Sequence, residues 1–141
     1  MAILEITAGL LGVAVEMLGL HGSFARAARD RRDRAALYFA DLAALVQQTS
    51  DQLRRNVYPH GSCAEMERLA LMMPLTLQGL LTAEQIECYR DRLLSVHAIE
   101  QAFGELQAMT AEQGSERLAQ LDQAAGTFRA LGTHLRTASR G

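Results

Sequence analysis

Residues 2–20 read AILEITAGLLGVAVEMLGL, and the fold turns on where this segment goes. Placed on a helix at about 100° per residue, Glu5, Gly9, Gly12, Glu16 and Gly19 fall within an arc of roughly 80°. Ile3, Leu4, Ile6, Leu10, Leu11, Val13, Val15, Met17, Leu18 and Leu20 fill most of the remainder. The apolar arc is about 220° wide, whereas a surface helix typically carries a little over 100°. Such a helix must be buried almost all round, in protein or in lipid. At 1.5 Å per residue it is about 28 Å long, close to a hydrocarbon core of about 30 Å. Glu5 and Glu16 oppose insertion of a single copy, since an acidic side chain at mid-bilayer costs roughly 2.5–3.5 kcal/mol. Several copies could turn their Glu/Gly stripes toward one another or toward water. The central helix of a larger bundle would have the same profile, with its glycines admitting neighbours and its glutamates at the solvent edge.

Outward from this segment the chain reads as four more helices. A second runs from Phe24, or from after the arginines that follow it, to Arg54, with Ala35, Phe39, Leu42, Val46 and Leu53 on one face. The run Asn56-Val-Tyr-Pro-His-Gly61 is the strongest break in the chain. Ser62 with Glu65 predicts a capping box for the third helix, and Pro74 predicts a kink or an end. Gly79 suits the turn that follows. Thr82 with Gln85 repeats the capping signal and opens a fourth helix, whose buried stripe is Ile86, Tyr89, Leu93, Val96, Phe103 and Leu106. Gly114 and Ser115 divide it from a fifth, where Leu118, Leu121, Ala125, Phe128, Gly132 and Leu135 alternate at three and four, the spacing of a bundle seam. No window alternates with period two long enough for a strand. The expected fold is all-α. Residues 23–136 form an antiparallel four-helix bundle, residues 1–22 an additional apolar helix, and residues 137–141 a linker stub.

Composition narrows the function classes. With 141 residues the chain suffices for one domain with a real core. Its formal net charge of -2 gives no bulk attraction to nucleic acid, so no nucleic-acid partner is expected. All the basic residues are arginine, which fits a GC-rich genome or phosphate recognition. Arg26, Arg29, Arg31, Arg32 and Arg34, with Asp30 and Asp33, leave one short segment at +3. A basic segment after an apolar span suits anionic headgroups on the cytoplasmic side, and equally suits a solvated helix end. No Lys or Arg precedes Arg26, so a secretory signal is not expected. Cys63 and Cys88 make no disulfide framework and point to a reducing, cytoplasmic setting. Catalytic motifs are missing: no phosphate loop, no paired-Cys zinc motif, no HExxH and no nucleophile elbow. His60 and Cys63 supply two metal ligands and need more, with Glu65, Glu67 and His97 the only candidates. His60 reads better as a turn residue. Cys63 reads as a small buried side chain, or as a thiol whose pKa a helix N-terminus lowers. Met66, Met72 and Met73 read as core. The expectation is a non-enzyme without catalytic residues, metal or cofactor.

Three stretches carry a family resemblance: Tyr58-Pro-His-Gly-Ser-Cys-Ala-Glu-Met66, Leu93-Leu-Ser-Val-His-Ala-Ile-Glu100 and Leu121-Asp-Gln-Ala-Ala-Gly-Thr-Phe128. Together they resemble the bacterial Bell domains, regarded as counterparts of the fungal HeLo and HET-S-type domains and of the helical bundle of the necroptosis effector MLKL. The resemblance covers roughly residues 30–135. It implies a helical bundle with a hydrophobic N-terminal helix, acting in inducible cell death during bacterial immunity by permeabilising the inner membrane. Under that implication Ile3, Leu4, Ile6, Leu10, Leu11, Val13, Val15, Met17 and Leu18 target the membrane. Glu5, Gly9, Gly12, Glu16 and Gly19 form the stripe along which copies self-associate, and the arginines at 26, 29, 31, 32 and 34 meet headgroups. The implied partners are membrane lipid on activation, further copies of the chain and an upstream immune receptor. The protein would be cytoplasmic and move to the inner membrane when triggered. Such proteins often carry a C-terminal amyloid signalling motif, and nothing after Leu135 has the β-prone composition for one. The resemblance thus supports an executioner role and not the amyloid route. The competing expectation is a soluble helical adaptor that dimerises or binds a partner helix.

Overall fold

The computed structural model describes residues 2–94 and 99–138. Among them the chain is all-helical: α1 (Ala2–Gly19), α2 (His21–Ala25), α3 (Arg29–Arg54), α4 (His60–Thr76), α5 (Ala83–Leu94), α6 (Ile99–Ala108) and α7 (Ala111–Ala138). The expected fourth helix is therefore α5 and α6, and Val96 lies outside the described residues. Of the expected linker stub, Thr137 and Ala138 belong to α7, while residues 139–141 lie outside the description.

Helix boundaries follow local chemistry. Asn56 takes a left-handed φ of 59° just past α3, a conformation its short polar side chain tolerates. Helix α4 begins at His60, after Pro59, rather than at Ser62, and no side chain caps it. The expected Ser62–Glu65 box is not formed. Ser62 is buried, its hydroxyl 2.9 Å from Thr49 Oγ1 and 3.1 Å from Gln52 Oε1, so it joins α4 to α3. Glu65 instead pairs with Arg68 at 2.7 Å. Pro74 sits inside α4, which ends two residues later. Gly79 then turns with φ 83°, and the Arg31 guanidinium lies where a Cβ would project. The Thr82–Gln85 box forms as expected, with reciprocal bonds of 2.9 and 3.1 Å. A second box, Thr110 with Gln113, opens α7 four residues before the expected break, and places Gly114 and Ser115 inside the helix.

Contacts fix the order of packing. Helix α7 lies against α3 and α1, α3 against α4, α4 against α5, and both α5 and α6 against α1. Arg92 of α5 meets Glu16, and Glu105 of α6 accepts from the Ile3 N–H, so this arm runs antiparallel to α1. His134 meets His21 beyond the C-terminal end of α1, so α1 and α7 run parallel. Helix α1 therefore stands between α7 and the α5–α6 arm and completes a ring of five members. Helices two to five were expected to close on themselves with α1 as an addition; the contacts instead make α1 part of the wall. Short α2 straddles the expected boundary at residue 22 and buries Phe24 5.7 Å from Phe39.

The core is the seam read from sequence. Leu118, Leu121, Ala125, Phe128, Gly132 and Leu135 are all buried, as are Ala35, Phe39, Leu42, Val46 and Leu53. Phe39 stacks on Phe128 with an interplanar angle of 7°. At Gly132 the helices approach so closely that a Cβ would stand 3.1 Å from the Ala36 carbonyl oxygen. A polar latch crosses the rim of the same interface: Arg54, Ser50 and Gln47 of α3 all bond the Asp122 carboxylate.

Candidate functional site: the first helix

Helix α1 divides into three lengthwise strips. Ile3, Ile6, Leu10, Val13 and Met17 are at most 3% exposed and face the core, with Thr7 and Ala14 among them. Thr7 Oγ1 donates to the Ile3 carbonyl at 2.9 Å, which satisfies the one buried hydroxyl on this face. Beside this seam Leu11 and Leu18 are half-buried and Val15 is 56% exposed, three residues at i, i+4 and i+7. The third strip is the Glu/Gly stripe: Glu5, Glu16 and Gly19 are exposed, Gly9 and Gly12 half-buried. The side chain of Leu4 lies outside the described ones. Thus most of the residues expected to meet lipid are packed into the protein, and among the described ones Val15 alone is exposed.

Energetics say how firmly α1 is held. Burying one such side chain is worth about 1.5–3 kcal/mol, so the five core residues together contribute roughly 8–15 kcal/mol gross. That matches the entire net stability of a typical domain, about 5–15 kcal/mol. Release of α1 therefore requires that the same surface be covered again by lipid or by other chains. The polar fastenings are fewer and lie at the edges. Glu105 accepts from the Ile3 N–H at 2.9 Å, satisfying one of the free donors at the start of α1. Glu16 pairs with Arg92 at 3.2 Å, with both side chains well exposed, so this pair is worth at most about 1 kcal/mol. Neither Glu105 nor Arg92 carried a sequence signal, because they lie 102 and 76 residues from their partners.

The glycines of the stripe serve no close approach in this arrangement. A Cβ at Gly9 or Gly19 would meet no atom within 4 Å, and at Gly12 only Arg92 Nη1 at 3.8 Å.

The arginine segment forms the first turns of α3 and the corner before it. Arg26, Arg29, Arg31 and Arg34 are exposed, as headgroup contact requires. Arg32 is half-buried, and its Nη1 donates to the Ala25 carbonyl at 3.0 Å, tying α2 to α3. It is a corner fastening rather than a surface charge. Arg31 likewise covers the α4–α5 turn at Gly79.

The remaining candidates disperse. His60 packs its ring on Tyr58, 4.0 Å between centroids. Cys63 has a thiol pushed up to about 11 by burial, with Ser62 only partly opposing this, so the lowering expected from the helix N-terminus is overridden. Cys88 is exposed on α5. Met66 and Met73 are core, but Met72 is 37% exposed beside Leu71 and Leu75 on the outer face of α4. His97 lies outside the described residues. Among those described, no three His, Cys, Asp or Glu side chains come together for a metal, and no helix is long and apolar enough to cross a membrane. A cleft of about 400 Å³ opens between the end of α3, α6 and the start of α7, lined by apolar side chains such as Leu53, Phe103 and Leu118 and by polar ones such as Arg54, Asn56 and Gln107. No family model, curated protein or solved structure matches the chain.

Proposed function

We propose that this domain is a membrane-targeting cell-death effector of bacterial immunity, with α1 as its working part and the ring as its resting state. The observation that carries this reading is that the apolar arc of α1 is wider than the surface the bundle covers. Beside the core seam Leu11 and Leu18 pack only partly against the bundle, and Val15 is 56% exposed. A helix needed only as a wall requires one seam. Two seams separated from a Glu/Gly stripe suit a helix with a second environment, in which both apolar strips face lipid and the stripes of several copies face one another. On release, the exposed arginines 26, 29, 31 and 34 would hold the rest of the domain on anionic headgroups. Glu5 and Glu16 would line any opening and favour cations. The resemblance to Bell domains supports the same reading, and implies an upstream immune receptor and a move from cytoplasm to inner membrane.

The test uses Val15, the exposed member of the strip beside the core seam, because changing it spares the fold. Full-length chain should arrest growth when expressed in bacteria and release dye from anionic vesicles. Val15→Glu should abolish both while helicity and melting temperature stay near those of the parent. Equal arrest and leakage from the variant, or none from the folded parent, overturns the proposal. The alternative, a helical module that dimerises or binds a partner helix, draws on the exposed Leu71 and Leu75 of α4. It predicts that Leu71→Gln with Leu75→Gln removes activity while the α1 variant keeps it.

A further inference from the structure

We infer that Arg92 of α5 is an autoinhibitory cover on α1, which pairs with Glu16 and occupies the part of the Glu/Gly stripe where a second copy would pack. Its role against self-association rests on the membrane reading; the contact does not.

Gly12 and Glu16 are four residues apart on α1 and so lie one above the other on the same face. One guanidinium reaches both. Arg92 Nη1 is 3.2 Å from Glu16 Oε2 and 3.8 Å from the position a Cβ on Gly12 would take. At Gly9 and Gly19 the same position has no neighbour within 4 Å, so among the stripe glycines Gly12 is the covered one. Tyr89, three residues before Arg92 on α5, brings a second donor to the same carboxylate. Burial first, and then the Glu16 charge, push the Tyr89 hydroxyl up, so it keeps its proton and donates. Two side chains from one turn of α5 thus converge on one acidic residue of the stripe.

The chemistry of the contact gives it a task. On the membrane reading, the stripes of several copies face one another. That arrangement needs Glu16 turned to water or to a neighbouring stripe, and Gly12 bare for a neighbour's approach. Arg92 takes both places within the chain. Both side chains of the pair are well exposed, so the pair is weak enough to be given up. The buried seam holds α1 in the ring, and the cover sets how often the stripe is presented.

Hydrogen exchange of the α1 backbone amides in the full chain tests the cover in solution. Arg92→Gln should speed exchange by about two- to fivefold, the most an exposed pair supplies. The difference should vanish in about 1 M salt, where the Debye length falls to about 3 Å. Amides of the α3 seam should not change. Exchange in α1 that is unaltered by Arg92→Gln, or altered equally at both salt concentrations, overturns the cover. The autoinhibitory role is tested on anionic vesicles. Arg92→Gln should release dye at roughly a third of the concentration the parent needs. Tyr89→Phe, which alters no charge, should shift release the same way. Arg90→Gln removes the same charge from α5 but leaves the Glu16 pair in place, since Arg90 faces Asp91 at 3.6 Å, and should match the parent. Release unchanged by Arg92→Gln, or raised equally by Arg90→Gln, overturns the autoinhibitory role and keeps the contact. If no form releases dye, the membrane reading fails and this role with it, while exchange alone decides whether Arg92 restrains α1.

Discussion

Replacing Gly9 and Gly12 together by alanine should make the protein more stable and, on the proposed membrane reading, less toxic. Both glycines lie inside α1, where glycine costs about 0.8–1.0 kcal/mol relative to alanine through lost backbone entropy. Substitution would be opposed only by a clash. At Gly9 the new Cβ meets nothing within 4 Å, and at Gly12 it meets the tip of Arg92 at 3.8 Å, an ordinary contact. The full propensity gain should therefore appear, about 1.5–2 kcal/mol for the pair. For a chain of this size that is roughly 6 °C in melting temperature. In urea, with a slope of about 2 kcal/mol per molar, it is a midpoint shift approaching 1 M. Equilibrium unfolding followed by circular dichroism measures it, with the slope checked for constancy. An unchanged or lowered midpoint would refute the reasoning, because the stripe would then have to be in contact with something in the resting state. The functional half is separate. If stripes of several copies pack together in the membrane, two added methyl groups hinder that approach, and growth arrest should weaken although the protein is sturdier. A variant that is more stable and equally toxic would remove the stripe from the mechanism.

Gly132→Ala should behave in the opposite way. Its Cβ would stand 3.1 Å from the Ala36 carbonyl and 3.4 Å from the Ala40 nitrogen, so α3 must shift, and overpacking should outweigh the propensity gain by about 1 kcal/mol in the same urea assay. The α3–α7 latch should show in acid. Burial pushes the Asp122 carboxyl up, but hydrogen bonds from Arg54, Ser50 and Gln47 outweigh this and hold it below its ordinary value. A depressed folded pKa adds stability above the unfolded value of about 3.9 and loses it as pH falls through the folded one. The urea midpoints of the parent and Asp122→Asn should therefore differ at pH 6 and converge below about pH 4; a constant difference would refute the assignment.

The α3 and α7 seams were legible because each is set by periodicity within one helix, from Ala35 to Leu53 and from Leu118 to Leu135. The Thr82 cap was legible because its partner lies three residues away. Thr110 with Gln113 has the same signal and lay in view, but Gly114 and Ser115 drew the boundary downstream. Ser62 looked like a cap for an equally local reason, yet its hydroxyl found Thr49 and Gln52 across a helix interface, where burial outweighs the lone capping bond. The place of α1 was not legible. Its sequence states how much surface must be covered and says nothing of what covers it. Nor could spacing foretell that Glu105, Arg92 and His134 would meet its two ends, since those are long-range encounters of folded helices. For the same reason Arg32 could not be told from its exposed neighbours until the α2–α3 corner gave it Ala25 to hold.

The position of α1 in the ring has a consequence for synthesis. Helix α1 is made before α5, α6 and α7, against which it packs, and the bond between the Ile3 N–H and Glu105 spans 102 residues. At about 5–20 residues per second, a nascent chain waits on the order of 5–20 s between translating α1 and translating its partners. Throughout that interval the core seam of α1 has nothing to cover it. A chaperone, a membrane or the α1 of a neighbouring nascent chain could engage it first. Entry of α1 into the ring is therefore a race, decided by how quickly α6 and α7 arrive.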